Sequence, residues 1–115
     1  MSISWRVEEQ RGATVMSVAG FLGSNAVSRF SEGFGWVVAR STGPVIVDLA
    51  ELLGWSAEGE LAVLRAATAI RSSGRSLAFC GLDHLEATNT WGDHLASIAV
   101  YPDLDTALDA QTRSD

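Results

Sequence analysis

The sequence predicts one α/β domain, and three observations carry that expectation. Residues 2 to 8 alternate strictly between polar and apolar. A continuous β-branched run, Val45-Ile46-Val47, stands in mid-chain, and the segments after it switch repeatedly between strand-like and helical spacing. Strands separated by helices join through right-handed parallel crossovers, so the sheet is mixed, with an opening antiparallel hairpin strand. A length of 115 residues suits a single core.

In the first segment Ile3, Trp5 and Val7 point one way and the polar residues the other, the two-residue period of a half-buried strand. Glu9-Gln10-Arg11-Gly12 is a turn. Ala13 to Ala19, with Val15, Met16 and Val18, is a second strand close enough to form a hairpin with the first. Gly20-Phe21-Leu22-Gly23 interrupts the pattern, and Ser24 or Asn25 is placed to cap a helix. Ala26, Val27, Phe30, Phe34, Val37 and Val38 give that helix an apolar face, and Gly33 and Gly35 weaken its middle enough to allow a bend. Ser41-Thr42-Gly43-Pro44 stops it.

The run from Val45 to Leu49 is expected to be a central strand covered on both faces. A turn around Leu53-Gly54-Trp55-Ser56 leads into a helix from about Ala57 to Ser72, its polar arc made of Glu60, Arg65, Thr68 and Arg71. Gly74 is its left-handed stop. Ser76 to Leu82 is a buried strand. Asp83 to about Leu95 is a weaker helix, Ile98 to Tyr101 a short strand, and Pro102-Asp103 opens a terminal helix carrying Leu104, Ala107, Leu108 and Ala110. The order β-β-α-β-α-β-α-β-α gives about four helices in a domain spanning 1–111, with a frayed polar tail at 112–115.

Composition narrows function. Hydrophobic residues make up 47% and charged residues 19%, a globular balance. Net charge is −6, all eight cations are scattered arginines, and lysine does not occur. That excludes a Walker-type phosphate lysine, a Schiff-base lysine and a Ser-Lys pair. It also argues against a sequence-independent grip on nucleic acid, which needs clustered positive charge. No apolar run reaches membrane-spanning length and no signal peptide is visible. With the single Cys80, the expected compartment is the cytoplasm.

Sites in α/β domains gather where strands end and helices begin, which directs attention to Gly54-Trp55-Ser56-Ala57-Glu58-Gly59-Glu60. Ser56 between strand and helix superficially resembles a nucleophile elbow, but the closing glycine is missing, and only His84 and His94 could serve as base. The plainer reading makes Ser56 an N-cap, with Glu58 and Glu60 favoured by the helix dipole. His84 and His94, with Asp83, Glu86 and Asp93 nearby, do not have the spacing of a zinc site, so no metal or cofactor is expected. Cys80 reads as core filler. Trp5 suits hairpin packing, Trp36 the side of its helix, and Trp55 is open between core and partner anchor.

Asp48-Leu49-Ala50-Glu51-Leu52, a variable turn, Ser56-Ala57-Glu58-Gly59 and the apolar helix from Leu61 to Ala67 resemble the central segment of STAS domains, the family of bacterial anti-sigma factor antagonists. Gly20-x-Leu22 after strand two, the strand Leu77 to Gly81 and the closing Val100-Tyr101-Pro102 extend the resemblance over nearly the whole chain. It implies a STAS fold and a non-catalytic binding role. Such antagonists capture an anti-sigma factor that is also a serine kinase of the histidine-kinase-like ATPase type, and a sigma factor is released. In the family an Asp-Ser-Ser-Gly motif opens the central helix, and phosphorylation of its first serine blocks binding. Here that motif is Ser56-Ala57-Glu58-Gly59, so Ala57 stands at the acceptor position without a hydroxyl. The family's Gly-Glu-Leu-Asp is Gly20-Phe21-Leu22-Gly23, with both carboxylates lost. The implied partner surface is Gly54 to Glu60, with Ser56 either a displaced phosphoacceptor or a plain cap. The alternative is a STAS scaffold or sensor that binds a small molecule or self-associates, a homodimer included.

Overall fold

The computed structural model describes residues 3–72, 74–82, 84 and 99–112. Strand β1 (Ile3–Gln10) and strand β2 (Ala13–Leu22) form the expected antiparallel hairpin, both longer than the alternation alone indicated. Their turn is only Arg11-Gly12, both with positive φ (53° and 80°), the tight form whose twist matches that of paired strands. A short 3-10 turn, Ser24–Ala26, precedes helix α1 (Val27–Arg40). Strand β3 (Val45–Asp48) and strand β4 (Leu52–Trp55) follow, then helix α2 (Ala57–Ser72), strand β5 (Leu77–Cys80), strand β6 (Ala99–Tyr101) and helix α3 (Leu104–Thr112). The expected helix from Asp83 to Leu95 lies outside the described residues, so three α-helices are described.

The sheet runs β1-β2-β3-β5-β6, antiparallel only between β1 and β2. Val45 and Val47 of β3 enter a core layer beneath α1 and α2, with Met16, Val18, Phe30, Val63, Ile70 and Phe79. Ile46 faces the opposite layer, with Val15, Ala78, Cys80 and Leu108 beneath α3. The β-branched run is therefore the central strand, covered on both faces as expected.

Three local expectations are corrected. Leu53 to Ser56 is not simply a turn. Pairing of β2 with β3 ends at Ser17↔Asp48, while β2 runs on to Leu22, and β4 fills the vacated edge in parallel from Gly20↔Leu52 to Leu22↔Trp55. Neither Ser24 nor Asn25 caps α1, because the 3-10 turn takes up the entry and Ala26 N–H bonds the Gly23 carbonyl at 2.9 Å. Helix α1 continues through Gly33 and Gly35. A Cβ at Gly33 would stand 2.6 Å from the Trp5 ring, so this glycine lets the indole lie against the helix. Finally, Glu60 is not on the polar side of α2. It is buried, 3% exposed, in the inward stripe with Val63, Leu64 and Ala67, while Leu61 is 43% exposed beside Arg65 and Thr68.

The join between α1 and β3 is clamped from a distance. Arg75, just past the left-handed Gly74 (φ 81°), donates to the Val38 carbonyl (2.9 Å), Ser41 Oγ (2.9 Å) and the Gly43 carbonyl (2.6 Å).

Candidate functional site

The sequence directs attention to residues 54–60, and the fold puts them where β2, β4 and α2 meet. The β2–β4 ladder continues one residue past β4, since Ser56 N–H donates to the Leu22 carbonyl at 3.0 Å. There the chain turns into the helix. The Ser56 carbonyl accepts from Glu60 N–H at 2.9 Å, and its hydroxyl oxygen accepts from Gly59 N–H at 3.2 Å. Ser56 is thus the N-cap of α2, satisfying one of the amides that a helix start leaves free.

Gly59 lets the first turn of the helix sit against the sheet. A Cβ at this position would overlap the Leu22 carbonyl oxygen and come 2.9 Å from Leu22 Cγ. The first turn of α2 therefore rests directly on the backbone of β2. That seating turns Gly59 and Glu60 inward and leaves Ala57 and Glu58 exposed.

Gly54 and Gly23 flank the ring of Phe21, whose atoms would lie 3.2 and 3.1 Å from a Cβ at each. Trp55 is half-buried, with part of the ring packed on the core and part open to solvent. The exposed apolar residues around the helix start are Phe21 (36%), Leu53 (71%) and Leu61 (43%). Sequence reasoning missed all three as surface. Phe21 between two glycines was the available signal. Beside them an open groove of about 540 Å³ runs between α1 and α2, lined by Val27, Phe34, Leu61 and Ala62 and bordered by Glu58 and Arg65.

Among the described residues no base is set against Ser56. His84 Nε2 lies 2.5 Å from the Leu52 carbonyl, so that nitrogen carries a proton and donates, while the Ser56 hydroxyl is engaged with Gly59. His94, Asp83, Glu86 and Asp93, from which a metal site could be imagined, lie outside the described residues, and among those described no group of His, Cys, Asp and Glu could hold a metal ion. Cys80 is fully buried, and its thiol is pushed up to about 12, chiefly by burial and then by the Asp48 carboxylate beside it. Such a thiol stays protonated and unreactive. No described helix is long and apolar enough to cross a membrane.

No protein-family model matches the chain, and no curated protein matches it in sequence. Solved structures do match its fold. An anti-sigma factor antagonist from Mycobacterium paratuberculosis superimposes with a TM-score of 0.73 at 21% identity, covering 96% of this chain and 95% of that one. The anti-sigma factor antagonist SpoIIAA in its unphosphorylated form gives 0.69 at 11% identity, over 97% and 100%. An antisigma-factor antagonist STAS domain from Rhodobacter sphaeroides gives 0.63 at 18% identity, over 75% and 94%. The β-hairpin, the parallel strands beside it and the helix that opens at Ser56 are together the fold of the STAS-domain anti-sigma factor antagonists, and this chain has that fold.

Proposed function

We propose that the chain is a non-catalytic regulatory binding protein of the anti-sigma factor antagonist type. It docks on a kinase-like anti-sigma factor through the surface around Gly54, Trp55, Ser56, Ala57 and Glu58, with Gly59 and Glu60 of the same stretch buried beneath it, and so frees a sigma factor in the cytoplasm. The observation that carries this reading is the start of α2. It is held rigidly by the Ser56 cap and the Gly59 seat, and it presents Ala57 and Glu58 to solvent among exposed Phe21, Leu53 and Leu61. Rigid apolar surface with one acid is suited to protein docking.

The family's phosphorylation switch does not accompany the fold. Ala57 has no hydroxyl, and the nearest one, on Ser56, serves as the cap of the helix. Glu58 carries one charge against nearly two for a phosphate, so its mimicry is incomplete and binding is constitutive. Incubation with the cognate kinase and ATP, followed by peptide mapping, should find no stoichiometric phosphate on residues 54–60. A phosphate on Ser56 would mean that the acceptor has moved by one residue.

Calorimetric titration against the purified anti-sigma factor tests the docking itself, and absence of binding would overturn it. Glu58→Ser should then change affinity by less than about tenfold. A gain of about a hundredfold on removing the carboxylate would make Glu58 a permanent off-signal instead. The second reading, a scaffold that assembles with copies of itself, is favoured by a separate feature at the opposite edge of β2.

A further inference from the structure

Strand β1 closes the sheet on one side, and its register with β2 runs unbroken from Ile3↔Gly20 to Gln10↔Ala13. In a hairpin with a two-residue turn, the pair flanking the turn is hydrogen-bonded. Gln10, Glu8, Arg6 and Ser4 therefore direct their N–H and C=O groups to β2, and Glu9, Val7, Trp5 and Ile3 direct theirs outward. The Ile3 carbonyl agrees, since it accepts from Arg29 Nε of α1 at 2.8 Å. Beyond that one bond, no described group outside the hairpin bonds the backbone of Trp5, Val7 or Glu9.

Sheets usually protect such an edge with proline, a bulge or lysine. Here β1 has none of these. Its exposed charges are instead Arg6, Glu8 and Glu9; Arg6, whose guanidinium also lies 3.8 Å from exposed Glu51 of its own chain, and Glu8 stand one on either side of Val7 on the same face of the strand.

We propose that this edge pairs with the β1 edge of a second copy, antiparallel, about a twofold axis at Val7. Val7 then faces Val7, and Trp5 faces Glu9 in both directions, each pair exchanging both backbone hydrogen bonds. Ile3, its carbonyl already taken by Arg29, marks the end of the pairing. Between these pairs Arg6 of each copy stands opposite Glu8 of the other, in the non-hydrogen-bonded position where Cα atoms are about 4.5 Å apart and side chains closest. The register is chosen by charge. Moving the axis by one residue sets Arg6 against Arg6 or Glu8 against Glu8, both repulsive. The half-buried Val7 and Trp5, with Trp36 tilted against Trp5 at 5.9 Å, supply apolar surface on the other face.

The proposal rests on the hairpin alone. β1 and β4 flank β2 on opposite sides, so failure to bind an anti-sigma factor leaves it untouched, and the reverse holds. Sedimentation equilibrium on the wild type, Arg6→Glu, Glu8→Arg and the double exchange tests it, with circular dichroism confirming the fold of each. The wild type should be a dimer in the micromolar range. Each single exchange should weaken it at least about tenfold, and the double exchange should return it to within about threefold of the wild type. A wild type that stays monomeric at high micromolar concentration overturns the proposal. So do single exchanges without effect, or a double exchange that fails to restore the dimer.

Discussion

Replacement of Gly59 by alanine sets two effects of opposite sign against each other. Helix propensity alone favours alanine over glycine by about 0.8–1.0 kcal/mol in a helix interior. At Gly59 the new methyl would overlap the Leu22 carbonyl and lie 2.9 Å from Leu22 Cγ, well inside the 3.5–4.0 Å or so at which carbon atoms pack comfortably. Leu22 cannot yield, because its carbonyl holds Ser56 N–H at 3.0 Å and its side chain is fully buried. The first turn of α2 must lift instead. Overpacking of this kind costs about 1–3 kcal/mol, and a weakened Ser56–Leu22 hydrogen bond adds about 0.5–1.5 kcal/mol. After subtraction of the propensity gain, Gly59→Ala should be destabilising by roughly 0.5–3.5 kcal/mol. Gly35 in α1 is the control. It is exposed, and a Cβ there meets nothing within 4 Å. Gly35→Ala should therefore stabilise the protein by about 0.5–1 kcal/mol. Urea unfolding followed by circular dichroism, compared at unchanged m-value, measures both. A Gly59→Ala variant as stable as the wild type would refute the seating of α2 on β2.

Ser56→Ala should lose about 0.5–2 kcal/mol through the missing cap, and Ser56→Asp should keep most of it, both read from the same urea curves. Arg75→Lys should cost about 1.5–3 kcal/mol, because a lysine cannot reproduce the fork that reaches Val38, Ser41 and Gly43 together. Asp103 caps α3 by accepting from Thr106 N–H at 2.8 Å, and that bond lowers its carboxyl below the usual aspartate value. A folded-state value below the unfolded one gives stability that is present above the unfolded pKa and lost as pH falls through the folded pKa. Asp103→Asn should remove that part of the acid dependence in thermal melts taken between neutral and strongly acidic pH.

The strands most legible in the sequence were those with a period long enough to count. Ile3, Trp5 and Val7 alternate over a full strand, and Val45 to Val47 are β-branched on both faces of the sheet. Strand β4 was not legible, for a physical reason. Four residues, Leu52-Leu53-Gly54-Trp55, cannot display a period, and what makes them a strand is the edge of β2 left open from Gly20 onward, some thirty residues earlier. The Ser56 cap was readable because capping is local: one hydroxyl and the amide three residues on.

Glu60 separates local from tertiary information most sharply. By composition it belongs on a solvent-facing arc, and Leu61 beside it belongs inside. The structure reverses the two, because the rotation of α2 about its axis is decided by where its first turn touches the sheet, and Gly59 makes that contact with Leu22. A residue type that carries no side chain thus determines which neighbouring side chains the surface presents. The same reasoning bears on Phe21. In the motif this chain resembles, carboxylates stand at positions 21 and 23; here a phenyl ring occupies the first and lies over glycines at 23 and 54. On the proposed docking surface, loss of two acids and gain of an exposed ring would shift recognition from charge-led to apolar. An interface of that kind draws its strength from desolvated area and depends little on screening by salt. A glutamate at position 58 can therefore stand at its edge without commanding it.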